Sequence, residues 1–242
     1  GALCERAGHT CVLYLVEDFF SAIESGLMMD EAEDVDIAIE LHNESADAKQ
    51  ELLLSLSAAI PEEALVLSSA LSTSTTQAAA WMANPGRVVG FGLVPPLGEA
   101  GMVELAAGLL TSDEARERAT AFWQSMDYEP VWVADGPGLV RARIVSCLIN
   151  EATTALMEGI ASAEDIDRAM TLGTNYPYGP LEWADTIGLD AVLGVITGLF
   201  DEWGDDRYRP SPLLRRMVLA GRLGRKSGRG FYEYQTEEED RS

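Results

Sequence analysis

Short apolar runs alternate with amphipathic stretches up to about residue 130. Cys11-Val12-Leu13-Tyr14-Leu15, after the Ala7-Gly8 turn, reads as a buried strand. Val35–Ile39, Ala64–Leu67 after the Pro61 break, and Arg87–Phe91 read as three more, with Met102–Leu105 a candidate fifth. Between them, Ala46–Ala59 sets Leu52, Leu53 and Leu56, with Ile60 just beyond, on one stripe, which predicts a helix. Strand–helix alternation argues for a parallel sheet covered by helices. Past Asp135 the texture changes. Val140–Gly159 places Ile144, Cys147, Leu148, Ala152, Ala155 and Leu156 at helical spacing. Ser162-Ala163-Glu164-Asp165 resembles a capping box with Asp in the acidic position. Gly179-Pro180 opens another helix, and Gly188–Trp203 reads as one more. Breakers cluster at Asp135-Gly136-Pro137-Gly138. The expected organisation is an α/β unit over 1–134 and an all-α unit over 135–242.

Composition narrows the classes of function. Of 242 residues, 47% are hydrophobic and 24% charged, which supplies a sizeable core. Seventeen basic residues against 40 acidic ones give a net charge of −23, so a phosphate-backbone binder is not expected. The acid concentrates at Asp30–Asp36 and Glu237–Asp240, the second reading as a solvated tail. No apolar run reaches the roughly 18 residues of a membrane span, and residues 1–9 carry no signal-peptide pattern. Cys4, Cys11 and Cys147 have neither metal nor redox spacing, which fits a reducing cytoplasm and no metal site.

A series of motifs in the second half then becomes specific through its order. It begins with Asp135-x-Pro137-Gly138-Leu139-Val140-x-x-Arg143-Ile144 and Asn150-Glu151-Ala152. Gly159-Ile160-Ala161, Asp165–Met170, Tyr178-Gly179-Pro180-Leu181, Asp185 and Gly188-Leu189-Asp190 follow. Gly224–Tyr234 closes the series. The run resembles the helical domain of the 3-hydroxyacyl-CoA dehydrogenase family. Upstream, Arg6–Leu13 resembles the end of the family's first Rossmann helix entering its second strand, and Asp34–Glu40 resembles the strand before the nicotinamide-side loop. The resemblance implies an N-terminally incomplete Rossmann-like parallel sheet followed by an all-α domain. It also implies NAD as cofactor, an acyl-CoA or related small molecule as ligand, a role in fatty acid metabolism, and a homodimer formed through the helical half. Trp183, Leu193 and Phe200 are candidate dimer contacts, with membership of the monomer core the alternative.

The family oxidises a 3-hydroxyacyl thioester by hydride transfer to NAD. A His takes the hydroxyl proton, and a Glu orients that His. By the resemblance, the orienting carboxylate is kept as Glu104, whereas the His position is Gly92, followed by Leu93-Val94-Pro95-Pro96. The functional Ser position is Leu71, and Ser72 beside it would face the other way on a strand. The Asn of the hinge motif is Ala142, beside a kept Arg143. Glu44, Lys49 and Lys226 fall where the family contacts its cofactor; Lys226 reads equally as a surface residue of the tail. The ribose-binding acid is replaced by Leu15, and Glu17 two residues on substitutes only if the loop is remodelled. Of the two histidines, His9 is expected to face solvent and His42 to be structural near the cofactor cleft; neither aligns with the catalytic position.

The Gly-rich loop and first strand of the resembled fold would precede Gly1, and the stretch from Leu15 to Asp34 is short for the family's helical excursion. The first Rossmann strand lies in mid-sheet, so its loss would leave unpaired edges. Residues missing from the given chain, a strand from a partner, and a rebuilt sheet are all open explanations. Three functions compete: an NAD-dependent oxidoreductase with impaired or altered catalysis, a non-catalytic pseudoenzyme that binds a partner or an acyl-CoA-like ligand, and a different reaction in the same cleft, such as that of a lyase or a sugar-acid reductase.

Overall fold

The computed structural model describes residues 2–25, 34–97 and 101–234. The acidic run at 237–240 and residues 30–33 of the other acidic run lie outside the described residues. The compact units divide after Leu139, with Val94–Pro96 belonging to the second. Hinge residues stay with the first unit because Asp135 accepts the N–H groups of Thr75 and Thr76 at 2.7 and 2.9 Å. Gly138 N–H also donates to Ala70 O at 2.8 Å.

The first unit opens with α1 (Ala2–Arg6) and α2 (Val16–Ser25). Next come β1 (Ile37–Glu40), α3 (Ala46–Ala59), β2 (Leu65–Ser69), α4 (Thr75–Ala80) and β3 (Val88–Gly92). It ends with β4 (Gly101–Ala107), α5 (Asp113–Ser125) and β5 (Tyr128–Val133). The sheet order is β1-β2-β3-β4-β5, parallel throughout except for the antiparallel β3/β4 pair. Both faces are buried, so its strands read as continuous apolar runs. Val66 and Val88 pack with Leu53, Leu56 and Ala78 on one face. Leu65, Leu67, Val89 and Phe91 pack with Ala119, Phe122 and Trp123 of α5 on the other. Ser45 caps α3, its Oγ accepting from Ala48 N–H, which starts the helix at the predicted residue.

Two strand readings differ from the structure. Cys11–Leu15 forms no strand; Leu13 and Leu15 are 71% and 75% exposed. An apolar run becomes a strand only where it reaches a neighbour's ladder, and Cys11–Leu15 pairs with none of the described strands. Conversely, β5 was not expected. Its sequence includes Glu129 and Pro130, and Pro is tolerated because β5 is the opposite edge strand.

The second unit contains α6 (Arg141–Met157), α7 (Ala163–Thr174), α8 (Pro180–Ile187), α9 (Leu189–Trp203) and α10 (Pro212–Leu219). Ser162 caps α7 as the sequence predicts, its Oγ accepting from Asp165 N–H. Val145, Ile149, Trp183, Ala184, Leu189, Val192 and Leu214 form its core. Trp183 is thus removed as a dimer contact: it is buried in its own unit and donates Nε1–H to Pro95 O at 3.1 Å. Leu193 packs partly buried against the same core, and Phe200 is half-buried.

Several residues of the motif series have structural work. Asp167 caps α8 by accepting from Leu181 and Glu182 N–H at 2.8 and 2.9 Å, and accepts from Tyr232 Oη–H at 2.8 Å. Buried Asp185 accepts from Phe231 N–H, Tyr232 N–H and Tyr234 Oη–H at 2.9, 2.9 and 3.0 Å, pinning the tail over 224–234. A Cβ on Gly230 would collide with that carboxylate, so glycine is required there. Burial raises the Asp185 pKa against these hydrogen bonds. Burial and the adjacent carboxylates push the Tyr232 and Tyr234 phenols up.

Candidate functional site

The antiparallel register of β3 and β4 sets Gly92 directly opposite Glu104. Glu104 is buried at 4% exposure. A Cβ built on Gly92 would lie 3.4 Å from Glu104 Oε2 and 3.0 Å from Leu139 Cδ1. A side chain at position 92 would therefore begin against the carboxylate. Leu139, buried and held at φ 48°, closes over the space. That left-handed backbone is unusual for a side chain such as leucine and costs conformational energy.

Neither histidine meets Glu104. β1 and β4 are three places apart in the sheet, about 14 Å at the usual strand spacing, and His42 follows β1. His42 is tied to its own loop: its ring Nε2 accepts from Ser45 N–H at 3.3 Å. His9 is half-buried rather than solvent-facing, with Nε2 2.8 Å from Ser125 Oγ and its ring 5.3 Å from that of Phe122.

The carboxyl ends of β1 and β2 form a polar cluster. Lys49 on α3 is fully buried, ion-paired with buried Glu40, and donates to His42 O and Ser69 O at 2.9 Å each. Burial lowers the Lys49 pKa, and Glu40 opposes that shift. Its neighbour Glu44 is exposed on the loop. Two buried polar atoms here have no hydrogen-bond partner among the described residues: Asn43 Oδ1 after β1 and Ser72 Oγ after β2. Leu71 is buried, and because β2 ends at Ser69 the strand-alternation argument for Ser72 does not apply. The Asn43 and Ser72 signal was not visible in the sequence, since it depends on where two loops stop.

Other expected residues are placed as follows. Leu15 is exposed, and Glu17 sits exposed in the first turn of α2. In the helical unit, Ala142 is buried on α6. Arg143 donates to Tyr208 Oη and lies over the Tyr208 and Trp203 rings at 5.2 and 5.6 Å. Lys226 is half-exposed and ion-paired with Asp190 in the first turn of α9. Among the described residues, no cluster of three His, Cys, Asp or Glu could hold a metal ion. No single described helix is long and apolar enough to cross a membrane.

Comparison with known proteins adds an independent line. The family model "3-hydroxyacyl-CoA dehydrogenase, NAD binding domain" matches residues 12–136, and "3-hydroxyacyl-CoA dehydrogenase, C-terminal domain" matches residues 138–234. A Bacillus subtilis protein named "Probable 3-hydroxybutyryl-CoA dehydrogenase" is 40% identical over 220 residues, covering 91% of this chain and 77% of that one. A 3-hydroxybutyryl-CoA dehydrogenase of Bradyrhizobium diazoefficiens is 38% identical over 214 residues, covering 88% and 73%. The crystal structure of (S)-3-hydroxybutyryl-CoA dehydrogenase PaaH1 from Ralstonia eutropha superposes with a TM-score of 0.73 at 36% identity, covering 97% of this chain and 82% of that one.

Proposed function

The chain belongs to the 3-hydroxyacyl-CoA dehydrogenase family, and from that premise we propose that it is an NAD-binding, acyl-CoA-directed member whose hydride transfer is strongly impaired. One observation supports this reading: Gly92, the position that the resemblance matches to the family's proton-accepting histidine, faces Glu104 across β3 and β4.

The family's NAD binding domain model matches residues 12–136, and the donors and acceptors at the carboxyl ends of β1 and β2 fit the nicotinamide–ribose end of NAD. The unpartnered Asn43 Oδ1 can accept from a carboxamide or sugar hydroxyl, and Ser72 Oγ can donate or accept. Carboxyl ends of parallel strands are where open α/β sheets take ligands. Bound NAD supplies the hydride acceptor. Glu104 is in place to orient and stabilise an imidazolium at position 92, but Gly92 has no atom to receive the hydroxyl proton. Loss of such a base costs about 10²–10⁴-fold in rate. Leu71 and Ala142 likewise lack the polar groups that hold the substrate oxygen. Glu44, Lys49 and Lys226 are assigned to the cofactor side, a homodimer through the helical unit to the assembly, and the cytoplasm to the compartment; the three free cysteines support the last.

The test is NADH formation from NAD and (S)-3-hydroxybutyryl-CoA, with calorimetric titration of NADH. Wild-type protein should bind NADH yet turn over about a hundredfold or more below a Gly92→His, Leu139→Ala variant, which restores the imidazole and the room for it. Wild-type turnover well above background and equal to that of the variant would refute impairment. Absence of NADH binding would refute the cofactor reading and favour the non-catalytic alternative.

A further inference from the structure

The buried ion pair beneath the loop after β1 has no part in proton transfer. Lys49 Nζ meets Glu40 Oε2 and donates to His42 O and Ser69 O. An ammonium has three N–H bonds, and all three are spent. Glu40 in turn accepts from Ser68 Oγ at 2.7 Å and from the His42 N–H. Residue 42 is therefore held at both its N–H and its C=O, one by each member of the pair. Asn43 follows, its Nδ2 donating to Leu41 O and Ser69 Oγ at 2.8 and 2.9 Å. Ser45 then caps α3, which fixes the far end of the loop.

Wholly buried pairs are poor stabilisers. Neutral groups of similar volume often do as well or better, whereas removing one partner alone is damaging. What this pair supplies is geometry. It draws on β1, β2, α3 and the loop at once, and the loop it grips carries the unpartnered Asn43 Oδ1.

We propose that the Lys49–Glu40 pair is a positioning clamp that holds residues 41–45 in the shape that receives the nicotinamide–ribose end of the dinucleotide. Lys49 is then a positioning residue, acting on the cofactor through the His42 peptide and Asn43 rather than by touching it. Its burial and its spent donors leave no N–H for a ligand. The proposal rests on the NAD-binding reading above.

Three proteins test it: wild type, Lys49→Met, and the Glu40→Gln, Lys49→Met double variant. Each is measured by thermal melting, amide hydrogen exchange and fluorescence titration with NADH. In wild type the His42 amide should exchange at least tenfold more slowly than that of Glu44, a measurement that needs no variant. Lys49→Met alone should melt well below wild type, because Glu40 is stranded. The double variant should regain the wild-type melting temperature while exchange over 41–45 and the Kd for NADH each rise at least tenfold.

A double variant that melts, exchanges and binds like wild type would reduce the pair to a stability role and overturn the clamp. A raised Kd with unchanged loop exchange would overturn it too, since Lys49 would then be touching the ligand. An unprotected His42 amide in wild type would do so without any variant. Failure of wild type to bind NADH sinks the cofactor reading and the proposed role with it, while the exchange arm still reports whether the pair holds the loop.

Discussion

Asp185→Ala is the sharpest test of how the helical unit is held together. The carboxylate accepts two backbone N–H groups, from Phe231 and Tyr232, and the Tyr234 hydroxyl. Alanine leaves the two amides without partners at about 1–3 kcal/mol each. The Tyr234 hydroxyl is partly exposed and can turn to water, so its loss counts for little. Against this, removing Asp185 relieves the cost of a buried charge, which its raised pKa records. A net destabilisation of about 2–4 kcal/mol follows, and at roughly 4 °C per kcal/mol the melting temperature should fall by about 8–16 °C. Asp185→Asn keeps one acceptor oxygen and should lose about half as much. Circular dichroism melting gives the temperatures, and limited proteolysis tracks release of the tail over 224–234. A fall of under about 3 °C with the tail still protected would refute the pinning role of Asp185.

Two further outcomes follow from the same structure. Both Tyr232 and Tyr234 have pKa values raised above the ordinary phenol value of about 10. The fold holds them protonated, so their contribution to stability is complete below pH ~10 and is lost as pH rises above it; Tyr232→Phe should flatten the alkaline decline in urea-unfolding stability, and an unchanged slope would count against the contact with Asp167. Leu13→Ser with Leu15→Ser should leave the melting temperature within about 2 °C, because both side chains are largely exposed; a larger fall would mean that this segment packs against the protein after all.

The sequence made the helices legible where capping and stripe coincide. Ser45 and Ser162 mark the starts of α3 and α7, because a side-chain oxygen at the right place satisfies an end that the helix cannot. Cys11–Leu15 was misread for a physical reason. Apolar content reports a tendency to be buried in a sheet, not whether the segment reaches an edge to pair with. β5 is hidden by Glu129 and by Pro130, the latter tolerated on an edge strand. At the site, Glu104 and Gly92 could be picked out as motif positions, but their facing each other is a matter of register. The position of Lys49 is legible in the sequence but its role is not, because its acceptors Glu40, His42 O and Ser69 O come from separate elements, and no local pattern announces that an ammonium has been fully used. The tail glycines, read as motif, turn out to be the space that Asp185 needs.

β1 has no described strand on its outer side, and Leu41, just after it, is largely exposed. Such a margin invites other molecules to stick. Surrounding it is a polypeptide of net charge −23, so like-sign repulsion opposes encounters between copies. That protection has a range of about 10 Å at 0.1 M salt and about 3 Å at 1 M. The reach of that repulsion is thus set by dissolved salt rather than by the fold.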